Sequence, residues 1–336
     1  MKHVCIQGER TQSVDAVIEN NGFVYAVDFD WFKGPDSILG IHTANGAFDR
    51  DGSLYVATDD PENPVIKVDS AGNYLHTIGK GLFKKAHSTC LTPQNTILVA
   101  DTKPGQNVIR EITKDGDLVR DFGVLGQAGD SGYDSNYLTV LESAGKKPTE
   151  TPWNKDPEKN ARLDSIVRVG KPFVRPCSMA MTSLGEYYAA DGYGNCAVHR
   201  FEPDGQFAFS WGGPGQEPGH FRLVHDIKVD RFDRIWVADR ENARVQVFDR
   251  QGVLLALIDG NLMRIGSIAM ANDYAYIGEL DGGFTIVDMD FEPQAQFGCK
   301  GSAMHDHGIA VNDNGDLILF TNKKNPKNIV YLTRRK

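Results

Sequence analysis

"HFRLVHDIKVDRFDRIWVADRENARVQVF" (residues 220–248) is the stretch of sequence that decides the fold. Apolar residues dominate three short segments, 227–229, 235–237 and 245–248, and polar residues alternate with them in the first and third, as in β-strands. His225 stands before the first of these segments, where neither a hairpin nor its core requires an imidazole. The same pattern recurs along the chain, and its recurrences predict both the architecture and the role of this histidine.

Six related units of about 40 residues make up most of the chain. Each contains a strand, a D-G or N-G type turn, a strand that ends near "VAD", a polar loop and further strands, which predicts an all-β, six-bladed β-propeller. The units start at Phe48, Leu91, Met181, Val229, Met270 and Val311.

The last unit is incomplete, and "GFVYAVDFDWF" (residues 22–32) supplies a spare strand near the N-terminus. We expect this strand to complete the last blade and close the ring, because closure removes exposed sheet edges. A closed ring predicts a single domain over residues 1–336. Residues 124–170 fall outside the repeat, and are either a solvated insertion between two blades or a lid over one face of the ring.

Composition excludes several classes of function. The net charge of -9 provides no basic field for nucleic acid or for an anionic membrane. No apolar run is long enough to span a bilayer, and the first residues do not resemble a signal peptide. The five cysteines are odd in number and show no paired spacing, which favours a reducing compartment and a cytoplasmic location.

Histidine occupies one register of the repeat in alternate units. His87 and His225 each lie fourteen residues before the aspartate of the following "VAD", and His307 lies fourteen residues before Thr321. The remaining units carry other residues at this position: Ala44, Cys177 and Ile265. Alternate blades of a six-bladed ring are related by about 120°, so the three imidazoles can point at one spot on its axis. Three imidazoles with an open fourth position are typical of a catalytic zinc site.

Three stretches closely resemble the peptidylglycine alpha-hydroxyglycine amidating lyases, which are six-bladed propellers of NHL type: residues 220–248, "RPCSMAMTSLGEYYAADGYGNCAVHRF" and "LFKKAHSTCLTPQNTILVAD". The similarity extends over roughly residues 40–321. It implies cleavage of a peptidyl α-hydroxyglycine to a peptide amide and glyoxylate. It also implies that His87, His225 and His307 are zinc ligands, that Tyr193 of "DGYGN" is the catalytic tyrosine and that Arg240 of "VADREN" is the active-site arginine. A purely structural role remains open for two of them, packing for Tyr193 and an inter-blade ion pair for Arg240.

The sequence differs from the family in four features. They affect the expected substrate and calcium binding more than the expected zinc site. Gly308 stands where the family has a calcium-binding aspartate, so calcium is not expected. Gly194 and Val174 occupy the positions of a cysteine pair that braces the tyrosine loop. Residues 33–48 offer only Lys33 in place of a substrate-binding arginine. We also expect the hydroxylating copper domain of the animal lyase to be absent.

The sequence therefore predicts a zinc-dependent carbon–nitrogen lyase that acts on a small, carboxylate-bearing α-hydroxyglycine derivative. A different metal-dependent lyase, hydratase or hydrolase on a carboxylate-bearing molecule is the first alternative. A non-enzymatic NHL interaction module is the second. The sequence leaves the oligomeric state open.

Overall fold

The computed structural model describes residues 16–298, 306–321 and 329–335. Before the first complete repeat lie two strands and a short helix, β1 (Ala16–Asn20), β2 (Phe23–Asp28) and α1 (Asp36–Leu39). The first four-stranded sheet contains β3 (Thr43–Phe48), β4 (Leu54–Thr58), β5 (Val65–Val68) and β6 (Tyr74–Ile78). The second contains β7 (Ala86–Leu91), β8 (Thr96–Asp101), β9 (Val108–Thr113) and β10 (Leu118–Gly123).

Two helices separate the second sheet from the third, α2 (Tyr137–Ser143) and α3 (Pro157–Asp164). The third sheet contains β11 (Pro176–Met181), β12 (Tyr187–Asp191), β13 (Ala197–Phe201) and β14 (Phe207–Gly212). The fourth contains β15 (Val224–Val229), β16 (Ile235–Asp239), β17 (Arg244–Phe248) and β18 (Leu254–Ile258), with a 3₁₀ turn at Arg240–Asn242. The fifth contains β19 (Ile265–Ala271), β20 (Tyr274–Glu279), β21 (Gly283–Asp288) and β22 (Pro293–Phe297).

The sixth sheet joins the two ends of the chain. Its last strands are β23 (Asp306–Val311), β24 (Leu317–Thr321) and β25 (Ile329–Arg335), and its strand order is β1-β2-β25-β24-β23. β2 pairs antiparallel with β25, from Val24 opposite Arg335 to Asp28 opposite Tyr331. The prediction that an N-terminal strand completes the last blade is confirmed, and β1 adds a fifth strand that the repeat does not predict. The fold is the predicted six-bladed β-propeller.

A β-bulge marks the register position of the repeat. The pairing of the first two strands shifts at the second residue of β3, β11, β15 and β23, so that Ala44, Cys177, His225 and His307 lie at the bulge. The histidine position is thus inside the first strand rather than ahead of it. A bulge leaves one residue out of the ladder and changes the direction of its side chain, a device common beside active sites.

The chain forms two compact units, each with an apolar interior. One comprises Met1–Val99, Glu111–Val119 and Gly266–Lys336, and its sheets bury Tyr25, Phe284 and Phe297 in edge-to-face and stacked aromatic contacts. The other comprises Ala100–Arg110 and Arg120–Ile265, with Trp236, Phe221 and Phe248 fully buried. The prediction of one domain over residues 1–336 stays a prediction.

The insertion 124–170 has its own small core and contacts the neighbouring loops. Leu141, Ala161, Leu163 and Ile166 are buried in it. Arg222 donates to the Thr149 carbonyl over 2.9 Å and to Asp164 over 3.0 Å. Part of the insertion is therefore packed, and both interpretations of it, a solvated insertion and a lid, stay predictions. Among the described residues, the three helices are too short or too polar to cross a bilayer.

Candidate metal centre

His87, His225 and His307 come together as a cluster of buried ring nitrogens. Each ring offers one nitrogen, and the three nitrogens all lie within 4.8 Å of one another. The side chains are between 2% and 7% exposed. Because two nitrogens bonded to one zinc ion lie at most about 4 Å apart, rotations that move them by about 1 Å suffice to share an ion. These three histidines can therefore form a metal site.

His307 is held in the tautomer that a metal ligand needs. Its Nδ1 lies 2.8 Å from the Ala44 carbonyl oxygen, which can only accept, so Nδ1 donates and the lone pair is on Nε2. Ala44 is the first-blade residue at the repeat's histidine register, and its backbone orients the ligand of another blade. Backbone partners of this kind fix the ring orientation of metal-binding histidines.

Gly308, next to His307, packs directly against the first blade. A Cβ at this position would lie 2.5 Å from the Ala44 carbonyl oxygen and 2.9 Å from the Asn45 Cα. Such approaches are far inside normal van der Waals contact, so an aspartate here would push the two strands apart. The glycine that departs from the calcium-binding pattern therefore serves the close packing that brings Ala44 to His307.

Tyr193 lies beside the cluster, on the loop that follows β12. Its hydroxyl is 2.8 Å from Nε2 of His225, and the two rings meet edge to face at 5.4 Å between centroids. Gly192 allows this approach, since a Cβ there would lie 2.1 Å from the Val224 carbonyl oxygen, one residue before His225. Burial raises the pKa of the Tyr193 phenol, and the charge and hydrogen bonding of Arg240 oppose that rise in part.

Arg240 is buried beside this tyrosine. Its backbone N–H donates to the Leu223 carbonyl over 2.9 Å and its Nε donates to the Ile265 carbonyl over 3.1 Å. Nη2 is buried without a hydrogen-bond partner in the described structure, which is unusual for a guanidinium and marks a position where a ligand can accept. The inter-blade ion pair considered for Arg240 forms at the next residue instead, between Glu241 and Arg264 at 2.8 Å.

The tyrosine loop is braced by hydrogen bonds and by packing at Val174 and Gly194. Val174 and Gly194 are in contact, since a Cβ on Gly194 would lie 2.7 Å from Val174 Cγ1. Ser131 of the insertion donates to the Gly194 carbonyl over 2.6 Å. Asp191 accepts from the Val174 N–H over 2.7 Å. The insertion and the carboxylate together hold the loop that carries Tyr193.

Two further residues lie near the predicted ones, and the repeat pattern did not identify them. The His42 ring is 5.9 Å from the His307 ring, and its Nδ1 is 3.6 Å from an Asp59 oxygen. The Arg175 guanidinium lies over the Tyr193 ring, 5.3 Å from its centroid. His42 is two residues outside the histidine register. For Arg175 the signal was a cationic residue directly before the first strand of the third blade.

The donor set fits zinc. Among the described residues the cluster consists of three imidazoles, which leave a fourth position open, as catalytic zinc sites do, and imidazole suits zinc among the common divalent ions. His87, His225 and His307 would hold the ion, and Tyr193 contacts one of them, His225.

Comparison with known proteins supports the repeat type and the fold. The NHL repeat model matches residues 221–248. The human NHL repeat-containing protein 3 is 25% identical over 238 residues, which cover 68% of this chain and 57% of that protein. The peptidyl-alpha-hydroxyglycine alpha-amidating lyase 2 of Drosophila melanogaster is 27% identical over 169 residues, 45% of this chain and 40% of the fly protein.

A solved streptogramin B lyase structure superposes with a TM-score of 0.57 at 11% identity, covering 93% of this chain and 98% of that one. At this identity the superposition establishes the fold alone. The chain thus covers about half the length of the human and fly proteins. The protein is therefore a propeller with an NHL-type repeat and partial similarity to amidating lyases.

Proposed function

We propose that this protein is a zinc-dependent lyase that cleaves the carbon–nitrogen bond of an N-acyl α-hydroxyglycine, releasing the amide and glyoxylate. The observation that carries the proposal is the 2.8 Å contact between the Tyr193 hydroxyl and His225, a member of the three-histidine cluster. The partial similarity to a lyase named for peptidyl-alpha-hydroxyglycine supports the substrate class.

The reaction balances without a further reactant. The hydroxyl of R–CO–NH–CH(OH)–COO⁻ loses its proton, a C=O bond forms as the C–N bond breaks, and the amide nitrogen takes up a proton. The products are R–CO–NH₂ and glyoxylate. One residue that accepts the first proton and returns it to nitrogen is sufficient, so the protein needs a proton carrier, a carboxylate binder and a Lewis acid.

Zinc held by His87, His225 and His307 would supply the Lewis acid that lowers the pKa of the substrate hydroxyl. His307 is oriented for this role by the Ala44 carbonyl. The buried surroundings of the three histidines exclude bulk water, which strengthens electrostatic interactions in the site.

Tyr193 is the proton carrier in this proposal, because its hydroxyl oxygen lies against the histidine cluster. Arg240 binds the substrate carboxylate in this proposal, because its Nη2 is a buried donor with no hydrogen-bond acceptor among the described residues. A guanidinium and a carboxylate form two parallel hydrogen bonds, and this geometry would fix the hydroxyl-bearing carbon relative to Tyr193.

Metal analysis and turnover test the proposal. Protein made without a His-tag should contain one zinc ion per chain and convert α-hydroxyhippurate to benzamide and glyoxylate. His225→Ala should lose both zinc and turnover, whereas His76→Ala, an exposed histidine on β6, should keep both. Wild-type protein that contains no zinc would contradict the proposed zinc-dependent reaction.

A metal-dependent hydratase or hydrolase is the second candidate, and the first blade favours it. Lys33, offered by the sequence in place of a substrate-binding arginine, is exposed and donates to the Ala71 carbonyl over 3.1 Å. The first blade instead brings His42 next to His307. Full zinc occupancy without turnover of α-hydroxyhippurate would favour this candidate. The carboxylate-bearing substrate and the cytoplasmic location stay predictions.

A further inference from the structure

Arg175 has an unusual backbone conformation. Its φ is 67°, in the left-handed region that side chains other than glycine rarely adopt. Pro176 follows, and the residue before a proline normally has an extended backbone. The Arg175 N–H donates to the Asn107 side chain over 3.2 Å, which helps to hold this conformation. Backbone strain of this kind clusters at ligand sites.

The conformation directs a guanidinium over the proposed catalytic tyrosine. The Arg175 guanidinium carbon lies 5.3 Å from the Tyr193 ring centroid, within the range of a cation–π contact. Nε donates to the Thr102 carbonyl and Nη1 to the Tyr133 hydroxyl, both over 3.3 Å. These partners come from the second blade and from the insertion, so the side chain is fixed from two directions.

The tethers leave hydrogen-bonding capacity unused. A guanidinium has five N–H groups, and the contacts with Thr102 and Tyr133 use two of them. Among the described residues, no Asp or Glu forms an ion pair with Arg175, and Nη2 has no acceptor. The side chain is only partly buried, so its free edge is accessible to a ligand. Arg200, in the same blade, instead pairs with Glu186 at 2.7 Å.

We propose that Arg175 is a second anion-binding residue of the site, which selects α-hydroxyglycine derivatives whose acyl part carries its own carboxylate. The inference rests on the proposed function. Arg240 binds the glycine carboxylate, and the N–H groups of Arg175 that have no acceptor bind the acyl carboxylate. The substrate class is thus an N-(carboxyacyl) α-hydroxyglycine, a dianion. Two guanidinium groups on either end of one substrate also fix its orientation relative to Tyr193.

The test compares two substrates that differ only in one charge, N-succinyl-α-hydroxyglycine and its methyl ester on the succinyl carboxylate. Wild-type protein should prefer the acid by at least about ten-fold in kcat/KM, mainly through KM, since a charged hydrogen bond is lost in the ester. Arg175→Gln should reduce the preference to within about two-fold. Arg175→Lys should retain part of the preference, because lysine keeps the positive charge but cannot form the two parallel hydrogen bonds of a guanidinium.

Two controls separate recognition from folding. Arg50→Gln removes an exposed positive charge at the turn before β4 and should leave the preference at the wild-type value. Tyr133→Phe keeps the guanidinium and removes one tether, and should lower the preference by a smaller factor than Arg175→Gln does. Equal kcat/KM values of the wild-type protein for the acid and the ester would overturn the inference. So would an Arg175→Gln variant that loses turnover of both equally, which would make Arg175 a positioning residue for Tyr193.

Binding of an unreactive analogue distinguishes failure of this inference from failure of the proposed reaction. N-succinylglycine lacks the α-hydroxyl and cannot be cleaved. Calorimetry on the zinc-loaded protein should show that it binds at least about ten-fold more tightly than its succinyl methyl ester, and that Arg175→Gln removes the difference. If neither hydroxylated substrate is turned over, the lyase proposal fails, while this measurement still decides the anion site: equal binding of acid and ester overturns it.

Discussion

The loops that follow β12 and β16 have the same construction and present different chemistry. In each, the aspartate that ends the strand, Asp191 or Asp239, accepts the backbone N–H of the residue 17 positions earlier, Val174 or Arg222. After Asp191 the chain presents Tyr193, a proton carrier in the proposed reaction. After Asp239 it presents Arg240. One repeated hydrogen-bond scheme therefore positions two side chains with different roles.

The two loops differ in what stabilises them. In both blades the aspartate also accepts from its own hairpin, Asp239 from Asn242 and Arg244, each over 2.8 Å, and Asp191 from Asn195 over 2.9 Å. In the third blade, Ser131 of the insertion contributes a hydrogen bond to the Gly194 carbonyl. The tyrosine loop therefore has an additional hydrogen bond from a segment outside the repeat. This bond makes it sensitive to changes in residues 124–170.

The largest effect is expected where the two loops differ in chemistry, at Tyr193. Tyr193→Phe removes the proposed proton carrier and keeps the ring, so kcat for α-hydroxyhippurate should fall by about 10²–10⁴-fold while zinc content stays unchanged. Tyr188→Phe, in β12 of the same blade, removes a hydroxyl bonded to Glu186 and should cost stability without this loss of kcat. A Tyr193→Phe enzyme with wild-type kcat would end the assignment of a proton-carrying role.

Arg240 should give a smaller effect that falls mainly on KM. Arg240→Lys keeps the charge and loses the two-pronged geometry, so kcat/KM should decrease by about 10–100-fold. Arg264→Gln is the matched control, because it breaks the ion pair with the adjacent Glu241 and leaves Arg240 in place. We expect steady-state kinetics within about three-fold of wild type for that control. An equal loss of kcat/KM in both variants would show that disturbing the fourth-blade loop is enough to cause the loss, and would contradict a carboxylate-binding role for Arg240.

The repeat allowed the fold and the histidine cluster to be predicted, because both depend on positions that can be compared between units. The alternation of His87, His225 and His307 in one register predicted their convergence. Arg175 and Ser131 could not be found in this way. Arg175 has a left-handed backbone conformation that no residue pattern specified, and Ser131 belongs to a segment with no equivalent in the other blades.

His42 is a further residue near the site that comparison between the repeat units could not predict. It lies two residues before the register position of the first blade, so comparison between units gave it no role. Only the packing of Gly308 against Ala44, which brings β23 close to β3, places the His42 ring near His307. Contacts between blades depend on such close approaches, and a pattern within one unit does not contain them.

The smallest effect should come from the brace of the tyrosine loop. Ser131→Ala removes the hydrogen bond to the Gly194 carbonyl and leaves all proposed ligand-binding side chains intact. We expect the free energy of unfolding to decrease by about 1 kcal/mol, since a buried carbonyl loses its donor. Because Tyr193 is adjacent to Gly194, kcat should also fall by about two- to ten-fold with little change in KM. Ser53→Ala, which removes a turn hydrogen bond to Asp51, should lower stability comparably without changing kcat. If both serine variants lose stability and keep full kcat, the insertion stabilises the third blade without positioning the tyrosine.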